Sequence, residues 1–352
     1  MTIADLLTET ISKGASDLHL ISGYPPSIRV DTHLVPLNYD ALTGTTVATL
    51  ITPIMSEEQK KLLEANRELD FAHSHSTGRF RINLYFSQNQ LCAALRLIPL
   101  KVQNIDELGL PSIFHDIALL RQGFVLVTGP TGHGKTTSLA AVIDEINKTR
   151  ESHVLTLEDP VEYIFSKSKA FISQREFGSD FYSWADGLKA ALREDPDVVL
   201  VGEMRDYETI AAALTIAETG HLVLATLHTN SAAQTIDRIV DVFPENQQPQ
   251  IRLQLSNVLE VVVSQRLLPK IGSGRTVADE IMVATPAIRS TIREGKTHLI
   301  DNIIQTSADV GMKTLATSLA ELVNKGIINL ETAQEYSNHP DDVAKLVHSS
   351  RK

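Results

Sequence analysis

Over residues 1–98, apolar and polar positions alternate in short β-rich pieces, "SDLHLI", "PSIRVD", "GRFRINLYF" and "LCAALRLIP", which predict strands with one buried face. Two helical patterns are interleaved with them, one being "MSEEQKKLLEAN", where Ser56 stands as N-cap and the charges recur at helical spacing. This region reads as a small α+β domain. The stretch 99–111, "PLKVQNIDELGLP", is bounded by prolines and holds a glycine, the composition of a hinge, so a flexible linker is expected over 99–115.

Beyond the linker the rhythm changes. Fully apolar runs such as "GFVLVTG", "HVLTLEDP", "DVVLVGE" and "HLVLATLH" alternate with helical patterns such as "SLAAVIDEIN", "WADGLKAALRE" and "DYETIAAALTIAETG". Short apolar strands separated by helices predict an α/β core with a mostly parallel sheet, placed at 116–270. From about residue 271 to 352 the pattern turns helical, and Gly295, Gly311 and Gly326 fall where C-terminal caps would stand.

Composition narrows the class of protein. A chain of 352 residues that is 43% hydrophobic and 21% charged is expected to fold throughout into two or three domains. The net charge of -11 opposes general electrostatic binding to nucleic acid. Cys92 is the single cysteine, which excludes an intramolecular disulfide and a zinc site of several thiolates. No signal-peptide pattern opens the sequence and no apolar run reaches the ~20 residues of a membrane span, so a cytoplasmic protein is expected.

The chemistry is concentrated at strand ends. "GPTGHGKT", covering Gly129, Pro130, Thr131, Gly132, His133, Gly134, Lys135 and Thr136 with Thr137 following, fits Gly-x-x-x-x-Gly-Lys-Thr between a strand and a helix. Glycines let backbone N–H groups converge on phosphate oxygens, the helix N-terminus adds its dipole, Lys135 reaches the β and γ phosphates, and the Thr136 hydroxyl can ligate Mg2+. The loop therefore reads as a site for ATP or GTP. "DPDVVLVGE" ends in Gly202-Glu203, a glutamate able to orient or deprotonate water, with glycine where an aspartate would ordinarily meet magnesium. "LTLEDPVEY" offers Glu158, Asp159 and Glu162, and "TGHLVLATLHTNSA" offers His221 and His228 around another apolar strand. Arg79, Arg81, Arg96, Arg193, Arg205 and Arg238 supply cations that could stabilise a transferring phosphoryl group, and spacing does not choose among them.

Taken in order, "GASDLHL", "GRFRIN", "LGLP", the phosphate loop, "EDPVEY", "DPDVVLVGEMRD" and "TGHLVLATLHTNSA" resemble the secretion ATPase superfamily, most closely the type IV pilus retraction ATPases, PilT-like twitching-motility proteins. In that family "EDPVEY" is the Asp box, "DPDVVLVGEMRD" an atypical Walker B and the histidine segment the His box. Residues 287–294, "AIRSTIRE", match the retraction family's Ala-Ile-Arg-Asn-Leu-Ile-Arg-Glu except at Ser290 and Thr291; as a packing helix the stretch would turn Ile288 and Ile292 inward. His133 stands where the family usually has serine.

The resemblance implies a RecA-like P-loop core with a helical C-terminal region, preceded by a PAS-like N-terminal domain, in a homohexameric ring. It implies ATP and Mg2+ as cofactors, with metal held by Thr136 and by Glu162 or Glu158 through water. It carries the catalytic glutamate onto Glu203, the Asp-box glutamate onto Glu162, the His-box histidines onto His221 and His228, and arginine fingers onto Arg79, Arg81 and Arg96. The implied partners are the inner-membrane platform protein of the pilus and a paralogous retraction ATPase, with no direct nucleic acid; the ring would be cytoplasmic and peripheral at the inner membrane. The alternatives are the accessory retraction paralogue, a RecA-like nucleic-acid translocase, and a regulatory module that binds nucleotide without hydrolysing it.

Overall fold

The structure is a computed structural model that describes residues 1–30, 33–75, 78–98 and 102–349. The chain divides into two compact units, one formed by residues 1–101 with 160–164, the other by 102–159 with 165–352.

In the first unit, six strands form one antiparallel sheet: β1 (Asp17–Leu20), β2 (Ser27–Val30), β3 (His33–Pro36), β4 (Glu68–His75), β5 (Gly78–Ser87) and β6 (Gln90–Ile98), in the order β3-β2-β1-β6-β5-β4. Alternation along β5 puts Phe80, Ile82 and Leu84 in the core, where they pack with Leu6, Leu7, Val47 and Leu95. The helix Glu57–Asn66 starts at Ser56 as the sequence indicates, with a reciprocal cap between Ser56 and Gln59. On the sheet's other face Arg81 lies opposite Arg96 and Arg96 opposite Asp17. There Arg81 pairs with Asp70 at 2.8 Å, Arg96 with Asp17 at 3.0 Å, and Arg79 donates to Ser74 Oγ at 3.2 Å.

The second unit is built on seven strands: β7 (Gly123–Thr128), β8 (His153–Glu158), β9 (Phe171–Glu176), β10 (Val198–Val201), β11 (Leu222–Leu227), β12 (Leu259–Pro269) and β13 (Arg275–Val283), ordered β13-β12-β7-β11-β10-β8-β9. All neighbours are parallel except β12 and β13. β7, β10 and β11 are buried at every position because helices cover both faces, which is why their sequences are apolar throughout rather than alternating. Side chains still sort by parity: Phe124, Leu126, Val199, Val201, Val223 and Ala225 enter one core, and Val125, Val127, Val198, Leu200, Leu222 and Leu224 the other.

Two expected boundaries move. Residues 99–101 of the expected linker lie outside the described residues. The segment that follows folds as two short helices, Ile105–Leu108 and Ile113–Leu119, whose Ile105, Phe114 and Ile117 are buried in the larger unit's core. The C-terminal helical region begins later than residue 271, because 275–283 form β13 of the core sheet. Beyond it, Gly295, Gly311 and Gly326 all take positive φ at helix ends. In the helix Pro286–Arg293, Ile288 and Ile292 are fully buried, while Arg289 donates to the carbonyls of Ser256 and Asn257 at the end of the helix Gln248–Val258 and pairs with Glu260.

β13 carries two buried carboxyls side by side. Burial pushes Asp279 up to about 7 against the pull of Lys313. Burial also pushes Glu280 up to about 7, with Asp301 adding to it and the Ala232 N–H and Arg266 opposing. Both are raised above their unfolded values, so the native state holds more protons and stability falls as pH climbs from about 4 to about 7. Asp279→Asn is therefore expected to gain roughly 2 kcal/mol more over wild type at pH 8 than at pH 5 in denaturant titrations; an equal difference at the two pH values would contradict the assignment.

Candidate functional site

Parallel pairing delivers the carboxyl ends of β7, β11, β10 and β8 to one edge of the sheet. β7 runs directly into the loop Gly129–Gly134, and the helix Lys135–Thr149 begins where Gly134 adopts φ +81°. Gly129 has φ +139°, and a Cβ there would stand 2.3 Å from the Gln265 carbonyl oxygen, so no side chain is tolerated at the loop's first residue. The loop closes around Lys135, which is buried and donates from Nζ to the carbonyls of Gly129 at 2.8 Å and Pro130 at 2.9 Å.

From Lys135 a chain of polar contacts crosses the strand ends. Its Nζ stands 3.3 Å from His228 Nδ1, and the opposite ring nitrogen, Nε2, stands 3.1 Å from Glu203 Oε1. An ammonium can only donate, so Nδ1 accepts and Nε2–H donates to the carboxylate, which fixes the tautomer. Thr131 Oγ1 also lies 3.4 Å from Nδ1. Glu203 Oε2 in turn accepts from Arg205 at 2.8 Å.

The electrostatics agree with that tautomer. Burial, then the Lys135 charge, hold His228 below the ordinary imidazole range, with Glu203 pulling the other way. Burial opposes ionisation of Glu203, but the Arg205 hydrogen bond and the charges of Arg205 and Lys135, joined by His228 where the ring is protonated, outweigh it and hold the carboxyl low. At neutral pH the group is a carboxylate next to a neutral imidazole and an ammonium. The glycine before it sits in a tight place: a Cβ on Gly202 would come within 3.1 Å of the Leu157 carbonyl and 3.3 Å of Glu158 Cα, so the neighbouring backbone would have to give by a few tenths of an ångström. The backbone there is pinned on both sides, with Gly202 N–H donating to Leu157, Thr226 Oγ1 donating to the Gly202 carbonyl, and Met204 N–H donating to Thr226.

Other expected residues lie elsewhere. His221 sits at the amino end of β11, where Nδ1 meets the Ile216 carbonyl and Thr219 Oγ1, each at 3.0 Å. β11 spans Leu222–Leu227, so His221 is separated from His228 by about 20 Å of strand and is no part of the phosphate-loop cluster within one chain. Glu158 closes β8 at the same edge as Glu203, buried, with Thr156 Oγ1 donating to it at 2.7 Å and Gln174 Nε2 at 3.3 Å. Glu162 falls in 160–164, which belong to the first unit, and Arg79, Arg81 and Arg96 lie on that unit's sheet.

This combination of glycine loop, strand-end carboxylate and histidine bridge sits on a chain matched over residues 1–275 by a family model described as type II/IV secretion system protein. The chain belongs to that family. Relatives include the type IV pilus retraction ATPase PilT of Pseudomonas aeruginosa, 47% identical, covering 97% of this chain and 100% of the relative. A twitching motility protein of Neisseria gonorrhoeae is 45% identical over 91% of this chain and 86% of its own length. The type IV pilus ATPase PilU of Pseudomonas aeruginosa is 36% identical over 99% and 91%. A crystal structure of the pilus retraction motor PilT with bound ADP superposes with a TM-score of 0.91 at 45% identity, covering 98% of this chain and 99% of that one.

Sequence reasoning missed the contribution of β12 to the secretion-family core. Gln265 and Arg266 are polar residues buried in the apolar run "VVVSQRLLP", and that mismatch was the available signal. Since Gly129 abuts the Gln265 carbonyl, Gly129→Ala is expected to cost about 3 kcal/mol or more of stability. Urea denaturation of the two proteins measures it, and a cost under about 1 kcal/mol would mean that the loop moves aside freely.

Proposed function

We propose that the chain is an ATP hydrolase that works as a homohexameric ring and powers retraction of type IV pili. The observation that carries the proposal is the connected series Lys135, His228, Glu203 across the mouth of a glycine loop. The names of the PilT and twitching-motility relatives, and the ADP held by the solved PilT, support the same reading.

The site fits the ligands this requires. Lys135 donates to two loop carbonyls and lies beside the His228 ring nitrogen, and an arriving β- or γ-phosphate offers its ammonium charged acceptors. Backbone N–H groups at the start of the helix Lys135–Thr149 face the same anion. Among the described residues no group of three or more His, Cys, Asp or Glu is placed to hold a metal ion. Magnesium would therefore arrive with the nucleotide, held by phosphate oxygens and the Thr136 hydroxyl, with Glu158 or Glu162 reaching it through water, and would supply charge neutralisation.

Glu203 is the group we assign to the attacking water. It is ionised, so it can accept a proton, and the His228 Nε2–H and Arg205 hold its two oxygens in fixed directions. His228 connects the state of Lys135 to that of Glu203, which makes it the sensor of the γ-phosphate. Arg79, Arg81 and Arg96 are assigned as arginine fingers and His221 as a contact outside the phosphate-loop cluster. The ring would act on the platform protein of the pilus, peripherally at the inner membrane; among the described residues no helix is long and apolar enough to cross a membrane. The accessory-paralogue reading has the weaker support, because PilU is less similar than PilT. Net charge of -11 weighs against a nucleic-acid translocase.

Glu203→Gln should lower phosphate release by about 10²–10³-fold with ADP affinity retained; turnover equal to wild type would remove Glu203 from the mechanism. The pH profile supplies an independent check. Because burial and the Lys135 charge hold His228 below the ordinary imidazole range, kcat/KM should stay level from about pH 8 down through that range and fall only on its acid side, as a protonated ring can no longer accept from Lys135. His228→Gln should flatten this acid limb, and an unchanged limb would place the titrating group elsewhere.

A further inference from the structure

Gln265 is fully buried in the middle of β12, and Arg266 beside it is 5% exposed. A primary amide out of reach of water is costly unless both its carbonyl and its NH₂ are bonded, so its partners reveal what it holds. Its Oε1 accepts from Ser138 Oγ at 2.7 Å, and its Nε2 donates to the His133 carbonyl at 2.6 Å. His133 lies inside the phosphate loop and Ser138 in the first turn of the helix that the loop enters. One side chain thus ties the loop to its own helix.

The strand's backbone adds two further ties. The Gln265 carbonyl occupies the space that a Gly129 Cβ would need, and the Leu267 N–H donates to His133 Nδ1 at 3.2 Å. The loop is held at its first residue, near its middle and just beyond its end, each time from β12. Arg266 faces a different wall, donating to the carbonyl of Asn230 at 3.0 Å and to its Oδ1 at 3.2 Å, two residues past His228. β12 therefore touches both the loop that would grip phosphate and the segment that carries the histidine.

We propose that Gln265 is a positioning residue: it sets the curvature of the phosphate loop before any nucleotide arrives, so that the amides of Gly132, His133, Gly134 and Lys135 converge on one point. Glutamine supplies one acceptor and one donor from a single planar group. An ionised glutamate would aim a second acceptor at the His133 carbonyl, asparagine is one methylene too short to span from β12 to both partners, and leucine would leave a buried hydroxyl and a carbonyl unbonded. The geometry stands by itself, and its kinetic consequence rests on the ATP-hydrolase reading.

The test uses the full-length protein as wild type, Gln265→Ala, Gln265→Glu and Ser138→Ala, with two readouts. Amide hydrogen exchange over 129–138 without nucleotide reports the loop directly: Gln265→Ala should accelerate it about tenfold, the loss of roughly one net hydrogen bond, while exchange in β8 and β10 stays as in wild type. In turnover and binding, Gln265→Ala and Gln265→Glu should raise KM for ATP and the dissociation constant for ADP about tenfold or more, and lower kcat less than they raise KM. Ser138→Ala, which keeps the bond to His133, should shift the same quantities the same way by less, and it serves if the Gln265 variants do not fold. Loop exchange unchanged in the variants, or KM and ADP affinity preserved while only the melting temperature falls, would overturn the proposal and leave Gln265 as a core residue. A wild type that neither binds nor hydrolyses nucleotide would sink the proposed function, and the exchange measurement would still decide the clamp.

Discussion

Parallel alignment of buried strands is the constraint on which the rest of the larger unit depends. β12, β7, β11, β10 and β8 run the same way, and register pairs Thr128 with Leu227 and Val201 with Ala225. Helices on both faces leave β7, β10 and β11 buried at every position and almost wholly apolar, so the charged groups of those strands gather where they end. Four ends then meet at one edge, where Gly129, His228 and the Gly202-Glu203 pair follow their strands and Glu158 is the last residue of β8. The arrangement follows the general rule for open α/β sheets, in which ligands bind beyond the carboxyl ends of the strands.

Within that edge a balance of charge decides protonation. Lys135 is a buried cation whose described contacts are two carbonyls and an imidazole nitrogen. Burial, with that charge, keeps His228 neutral, the neutral ring donates to Glu203, and Arg205 secures the other carboxylate oxygen. Each member fixes the state of the next, so an anion arriving at Lys135 would be felt at Glu203 through a single imidazole. β12 supplies the rigid wall behind this series through Gln265 and Arg266.

The phosphate loop, the helix after it, the apolar strands and the Ser56 cap were all legible in the sequence, because each is dictated by local sterics or by periodicity over a few residues. Glu203 and His228 could be named as strand-end residues, but their mutual contact is a product of sheet order. His221 was grouped with His228 because both flank the same strand; the strand's own length separates them. β13 was hidden because "RTVADEIMV" carries charged residues that burial normally forbids, and the reason they are tolerated, protonation and neighbours such as Arg266 and Lys313, exists only in the fold. The packed helices at 105–119 were mistaken for linker because a glycine and prolines mark turns equally well in a hinge and between short helices.

The most direct test of the central claim is to follow fluorescently labelled pili in cells lacking this protein, complemented with wild type or with Lys135→Ala. The account predicts that wild type restores retraction events and that Lys135→Ala, expressed at the same level, leaves pili extended. Retraction at the wild-type frequency in the Lys135→Ala cells would contradict it, since the account assigns the phosphates to Lys135.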